Sequence, residues 1–159
     1  MMDTHKKTLI VFSGDLDRAV AAFIIANGAA AMGDEVTMFF TFWGLSILRK
    51  PHPPSHKRSF LQSLFGRMMA SGPKQLGISK MNFGGLGAAM LRRVMQQQNA
   101  SSLEELMTTA KEQGIKMLAC TMSMDVMGFR PEDLIDGLDF VGVASYLAEA
   151  DEANVNLFV

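Results

Sequence analysis

Short apolar runs of strand length alternate along the chain with longer stretches of helix length. Thr8 to Ser13, TLIVFS, is β-branched and aromatic and ends at Gly14, which predicts a fully buried strand. Asp15 stands at a capping position before Leu16 to Met32, LDRAVAAFIIANGAAAM, an alanine-rich stretch that stops at Gly33. Glu35 to Thr41, EVTMFFT, predicts a second strand. Strand, helix, strand is the unit that builds parallel sheets.

Arg49 to Lys80 breaks the rhythm. RKPHPPSHKR reads as a loop, and SFLQSLFGRMMASG then spaces Phe60, Leu61, Leu64, Phe65, Met68 and Met69 at helical intervals. MNFGGLG predicts a glycine turn and Ala88 to Gln98 a helix. Ser102 and Glu105 have the spacing of a capping box before LEELMTTAKEQG. Ile115 to Cys120 predicts the third strand, Thr121 to Met127 a short helix, and RPEDLIDG a helical turn. Asp139 to Val141, Ala144 to Ala150 and Val155 to Phe158 predict strand, helix and strand. The sum is an α/β sandwich with about five mostly parallel strands, in one domain over residues 1–159 with a basic loop and helix inserted at about 49–80.

Composition narrows the chemistry. The only cysteine, Cys120, cannot form an internal disulfide, which fits a reducing cytoplasmic compartment. The N-terminal MMDTHKKTLIVFSGD carries no signal-peptide pattern, and the apolar run from Val36 to Leu48 is too short to span a bilayer. Net charge is −1, but residues 36–103 hold nine Lys/Arg and no acid, whereas 104–159 hold eleven acids and three bases. Such a split marks an interaction surface, or two halves that neutralise one another once folded.

In open parallel sheets ligands bind beyond the carboxyl ends of the strands. Three loops are expected there: SGDLD, with Ser13, Gly14 and Asp15; FWGL, with Trp43 and Gly44; and CTMSMD, with Cys120, Ser123 and Met124. Between a strand end and a helix start, the Cys120 thiolate would be favoured by backbone N–H groups and would react readily; inside the strand it would only pack. Trp43 either covers a ligand or is a buried aromatic. Asp15 and Asp17 read as a cap and a solvated residue, and His52 and His56 as solvated loop residues. The lone cysteine excludes dithiol exchange, and neither a metal site nor a cofactor is expected. The NFGGLG glycines match neither phosphate-loop spacing.

SGDLDRAVAAFIIANGAAAMGDEVTMFFTFWGL, MNFGGLGAAM, ACTMSMDVMG and VGVASYLAEADEANVNLFV resemble the DsrE/DsrF-like family of sulfur-relay proteins, over nearly the whole chain. The closest resemblance is to its single-domain branch of DsrE-like sulfurtransferases, some labelled peroxiredoxin-like. The peroxidatic Pro-x-x-x-Thr-x-x-Cys setting is absent before Cys120. The resemblance implies a three-layer α/β/α sandwich, an oligomer, and a cysteine that carries a persulfide, which maps by position onto Cys120.

Two functions compete. The first is a sulfur carrier or sulfurtransferase that takes sulfur onto Cys120 from a donor protein and passes it to an acceptor protein, with Ser123 as an additional donor to the anion. The second is a non-catalytic binding or scaffold module with an apolar pocket under Trp43 and Met124. A nucleotide- or flavin-binding reading would rest on fold analogy alone. A homo-oligomer, a trimer or a multiple of it, is expected, and no nucleic-acid partner. The stripe over 60–69 should cover the domain's own core or a subunit interface. The charges of Lys57, Arg58 and Arg67 should meet an acidic partner rather than a membrane surface, and their neutralisation should leave thermal stability nearly unchanged.

Overall fold

A computed structural model describes residues 4–159; residues 1–3, where the stretch read for a signal peptide begins, lie outside the described residues. Five strands form one parallel sheet: β1 (Lys6–Val11), β2 (Glu35–Phe40), β3 (Lys116–Cys120), β4 (Asp139–Val141) and β5 (Val155–Phe158), in the order β4-β3-β2-β1-β5. The register carries Val11 opposite Phe40, Phe40 opposite Ala119, and Cys120 opposite Val141. The ends of the three central strands therefore lie side by side.

Alternation along the strands sends Leu9, Val11, Met38, Phe40, Met117 and Ala119 into the main core. There they meet α1 (Leu16–Ala31) and α4 (Leu103–Glu112), whose inward side chains include Phe23, Ala26, Met107 and Ala110. The small residues of α1 let it approach the sheet and α4 closely, and Asn27 Nδ2 donates to the Leu106 carbonyl at 2.9 Å. The other face carries a smaller cluster of Phe39, Leu118, Cys120 and Tyr146, the last from α6 (Val143–Asp151). Helices on both faces give the α/β/α layering. The second face is covered thinly: Phe12, Phe140, Val143, Leu147 and Phe158 remain exposed beside α6.

Helix ends follow the local chemistry. Ser102 and Glu105 form the expected capping box on α4, and Ser59 and Gln62 form another on α2 (Phe60–Met68). Asp15 occupies the N-cap position of α1 but makes no side-chain capping bond, a correction to the sequence expectation. Its carboxylate instead accepts from Ser13 Oγ at 3.0 Å, while Ser13 Oγ accepts the Asp15 N–H at 3.1 Å. Asp17 is not simply solvated either: its carboxylate accepts the Ser79 N–H at 2.9 Å and the Ser79 hydroxyl.

The segment after β2 departs furthest from expectation. FWGL is not an open loop: Phe42–Leu48 winds into 3-10 turns and buries Leu45, Ile47 and Leu48. Of the stripe over 60–69, Met69 just past α2 is buried in the main core, whereas the residues on α2 itself stay outside it, with Phe60 81% and Met68 80% exposed. Polar bonds hold this helix down instead. Arg49, only 3% exposed, donates through Nη1 to the carbonyls of Gly66, Met69 and Ala70 at 3.1 to 3.2 Å, and its guanidinium carbon lies 4.8 Å from the centre of the Phe129 ring. Burial, and then the nearby Arg58 charge, lowers the Arg49 pKa below its ordinary value, with Asp133 opposing.

Arg58 supplies the second clamp. Its Nη2 donates to Asp133 Oδ2 at 2.7 Å and its Nε to the Gly128 carbonyl at 2.9 Å. His56 Nε2 lies 3.1 Å from Arg58 Nε and 3.4 Å from Asp133 Oδ2, beside this clamp. Two expectations fall here: His56 is largely buried rather than solvated, and Arg58 is structural rather than free for a partner. Lys57 and Arg67 do remain exposed.

α3 (Leu86–Gln97) starts from a glycine turn in which Gly84 and Gly85 take positive φ of 67° and 102°. Its Leu86, Met90 and Val94 form an exposed stripe at i, i+4, i+8. α5 (Thr121–Met127) follows β3 directly and leaves Met122 and Val126 exposed next to α2, whose Gln62 Nε2 donates to the Asp125 carbonyl at 3.0 Å. Among the described residues no helix is long and apolar enough to cross a membrane.

Candidate functional site

Close backbone approach at the ends of β1 and β2 creates the first part of the site. The Gly44 N–H donates to the Phe12 carbonyl at 2.8 Å, and a Cβ on Gly44 would lie 2.0 Å from the Val11 carbonyl oxygen. Only glycine fits there, and it brings the 3-10 turns onto the loop of Ser13, Gly14 and Asp15. Ser46 Oγ donates to the Trp43 carbonyl at 2.6 Å and fixes the turn.

Trp43 is thereby held at the surface, 44% exposed, rather than buried among apolar side chains. Its ring stacks on Phe65 of α2 with centroids 6.1 Å apart. Between these rings and the first loop lies a cleft of about 580 Å³, within the range of small-molecule sites. Phe12, Ser13, Gly14, Asp15 and Trp43 line it, with Arg18 from α1 and Met68 from α2.

Sequence reasoning selected Ser13, Gly14, Asp15 and Trp43, and the fold brings these four together. Gly44 lies buried behind them. It missed Arg18, which sits one helical turn from Asp15, and it did not place Phe65 and Met68 of the basic segment in the wall. The exposure of an amphipathic helix that caps no core was the signal for the latter two, and it is legible only in three dimensions.

Ser123 and Met124 go elsewhere. Ser123 is fully buried and shares a 2.7 Å hydrogen bond with Thr41 Oγ1, which ties α5 to the end of β2. Met124 belongs to the main core, so the pocket expected under Trp43 and Met124 does not exist in that form. The cleft is walled by Phe65 and Met68 instead.

Cys120 is both the last residue of β3 and the N-cap residue of α5, so the two alternatives for its position merge. Strand alternation turns its side chain to the α6 face, away from the main core. There it is 3% exposed and packs with Phe39, Leu118 and Tyr146. Phe39 and Tyr146 stack at 4.8 Å between centroids, and the Tyr146 hydroxyl lies 3.0 Å from Thr8 Oγ1, which anchors the cover over the thiol. The expectation of a thiol open to reagents in the folded chain is corrected: Cys120 is closed beneath α6 and is not part of the cleft's lining.

The DsrE/DsrF/DrsH-like family model matches residues 4–158. The chain is 50% identical over 156 residues to the uncharacterized protein YrkE of Bacillus subtilis (strain 168), covering 98% of each chain. It is 33% identical over 162 residues to the sulfur carrier protein DsrE2 of Allochromatium vinosum, covering 99% of this chain and 100% of that one. Two solved structures show the same fold at low identity. The ychN protein from E. coli superposes with a TM-score of 0.55 at 10% identity, covering 97% of this chain and 99% of that one. The protein MTH1491 of Methanobacterium thermoautotrophicum does so with 0.56 at 13% identity, covering 98% and 99%. On the full-length match of the family model and these relatives, the chain belongs to the DsrE/DsrF/DrsH-like family.

Proposed function

We propose that this protein works in sulfur relay as a carrier that holds a persulfide on Cys120 and hands its outer sulfur to a thiol on a partner protein. The observation that carries the reading is full-length similarity to a sulfur carrier protein, in a chain with a single cysteine. The Cys120 thiolate attacks the outer sulfur of a donor persulfide; the donor's S–S bond breaks and the donor leaves as a thiolate. An acceptor thiolate then attacks the outer sulfur on Cys120, the new S–S bond breaks, and Cys120 thiolate is released. No net oxidation or reduction occurs.

Both steps need access to a sulfur that is closed in the resting chain. Only one residue of α6, Tyr146, is buried, so the cover over Cys120 is thin and its local opening is inexpensive compared with global unfolding. Cys120 holds the N-cap position of α5, but its side chain makes no capping hydrogen bond to the first turn of that helix. A free thiol of this kind fits a reducing cytoplasm. Incubation with a persulfide donor followed by intact mass measurement tests the reading: one added sulfur on the wild type and none on Cys120→Ser is expected.

The exposed apolar stripes on α2, α3, α5 and α6 support a homo-oligomer; a trimer or a multiple of it is what the family resemblance implies. A second reading, a ligand-binding or scaffold module without transfer, draws on the burial of Cys120 and on the cleft at the other side of the sheet ends. Absence of sulfur mass on wild-type protein under donor excess would favour it.

A further inference from the structure

The carrier reading does not use the cleft between Trp43, Phe65 and the Ser13–Asp15 loop. Its lining divides into two kinds of surface. One wall is soft and apolar, made by Phe12, Trp43, Phe65 and Met68. The other holds one carboxylate, Asp15, and one guanidinium, Arg18. These two charges are separated by 3.9 Å from Arg18 Nε to Asp15 Oδ2, outside hydrogen-bond range, and both are about half exposed. Asp15 has one oxygen held by Ser13, and it leaves the first turn of α1 without a side-chain cap. A simple anion entering here meets Asp15, and a simple cation meets Arg18. A molecule carrying both charges as substituents of one carbon meets neither penalty.

We propose that this cleft binds a free α-amino acid with an unbranched apolar or thioether side chain. Arg18 takes the carboxylate, Asp15 takes the ammonium, and the Trp43–Phe65–Met68 wall takes the side chain. Carboxylate on guanidinium gives charge-assisted bonds. A thioether on aromatic faces and methionine gives polarisable contacts. The site lies apart from Cys120, and its occupancy is independent of persulfide chemistry.

Trp43 is the only tryptophan, so its emission reports on the cleft directly. The probes are L-methionine, 3-(methylthio)propylamine, which lacks the carboxylate, and 4-(methylthio)butanoate, which lacks the ammonium. Cys120→Ser protein serves as the background, so that sulfur exchange plays no part. L-methionine should change Trp43 emission saturably, and each analogue should bind at least about tenfold more weakly. Arg18→Gln should weaken L-methionine about tenfold without weakening the amine, and Asp15→Asn should do the same relative to the butanoate. Neither side chain caps a helix or fills the core, and an unchanged thermal midpoint checks that the variants fold. The analogue series in unsubstituted clefts needs no variant at all. An analogue within about threefold of L-methionine, or no saturable change up to about 10 mM, would overturn the proposal. Failure of sulfur loading on Cys120 with intact methionine binding would instead sink only the carrier reading.

Discussion

Asp133 is the residue whose loss the fold should tolerate least. Its side chain is fully buried, and Oδ2 accepts from Arg58 Nη2 at 2.7 Å and from the Arg130 N–H at 2.9 Å. Asp133→Ala removes the one carboxylate paired with Arg58 among the described residues; it leaves the guanidinium, 15% exposed, without its counter-charge and with the Gly128 carbonyl still bound at Nε, and it leaves the Arg130 N–H without its acceptor. Breaking a buried pair on one side costs about 3–5 kcal/mol. In a chain of this length that lowers the thermal midpoint by roughly 10 °C. Calorimetry and urea titration followed by circular dichroism would measure it. A double-mutant cycle with Arg58→Met would separate the pair from the rest: in the double variant the stranded cation is gone, so part of the loss should be recovered. A loss below about 1 kcal/mol for Asp133→Ala, or costs that simply add in the cycle, would refute the clamp.

Three further outcomes are expected. Cys120 should alkylate slowly with iodoacetamide in the native state, yet faster than global unfolding allows, because opening α6 suffices; reaction only through global unfolding, measured against the urea dependence of the rate, would make it a packing residue. Burial pushes the Asp17 carboxyl up, but the hydrogen bonds from Ser79 outweigh that, and its pKa is net lowered. Its folded value therefore lies below the unfolded one, so its charge stabilises above about pH 4, and that share is lost as pH falls through the folded value. The difference in thermal midpoint between wild type and Asp17→Asn should then be present at pH 7 and vanish in acid, and a difference that grows in acid would contradict the assignment. Light scattering at micromolar concentration should give a homo-oligomer, and a monomer would leave the stripes on α2, α3, α5 and α6 without a cover.

The parallel sheet was legible because each central strand is a short apolar run between a glycine or a charge and a helical stretch. The sheet order was not, since periodicity says nothing of which strand lies next to which. Cys120 illustrates the limit at the level of one residue. Its place at a strand end was readable, but its exposure depends on the parity of the side chain and on Tyr146, twenty-six residues on, closing over it. Arg49 and Arg58 were hidden for a similar reason. In sequence they look like members of a basic run, and only the fold shows that Arg49 binds three carbonyls while Arg58 meets a buried aspartate. The stripe over Phe60 to Met69 has helical spacing, as expected, but spacing alone cannot say whether core, subunit or solvent faces it.

Sulfur loading of Cys120 is the most direct test of the carrier account. Wild-type and Cys120→Ser protein would be incubated with a low-molecular-weight persulfide, desalted, and weighed intact, then mixed with an acceptor thiol and weighed again. The account predicts one added sulfur, about 32 Da, on the wild type alone, and its loss on addition of the acceptor. Sulfur mass that persists on Cys120→Ser, or wild-type protein that stays unmodified under donor excess, would contradict it.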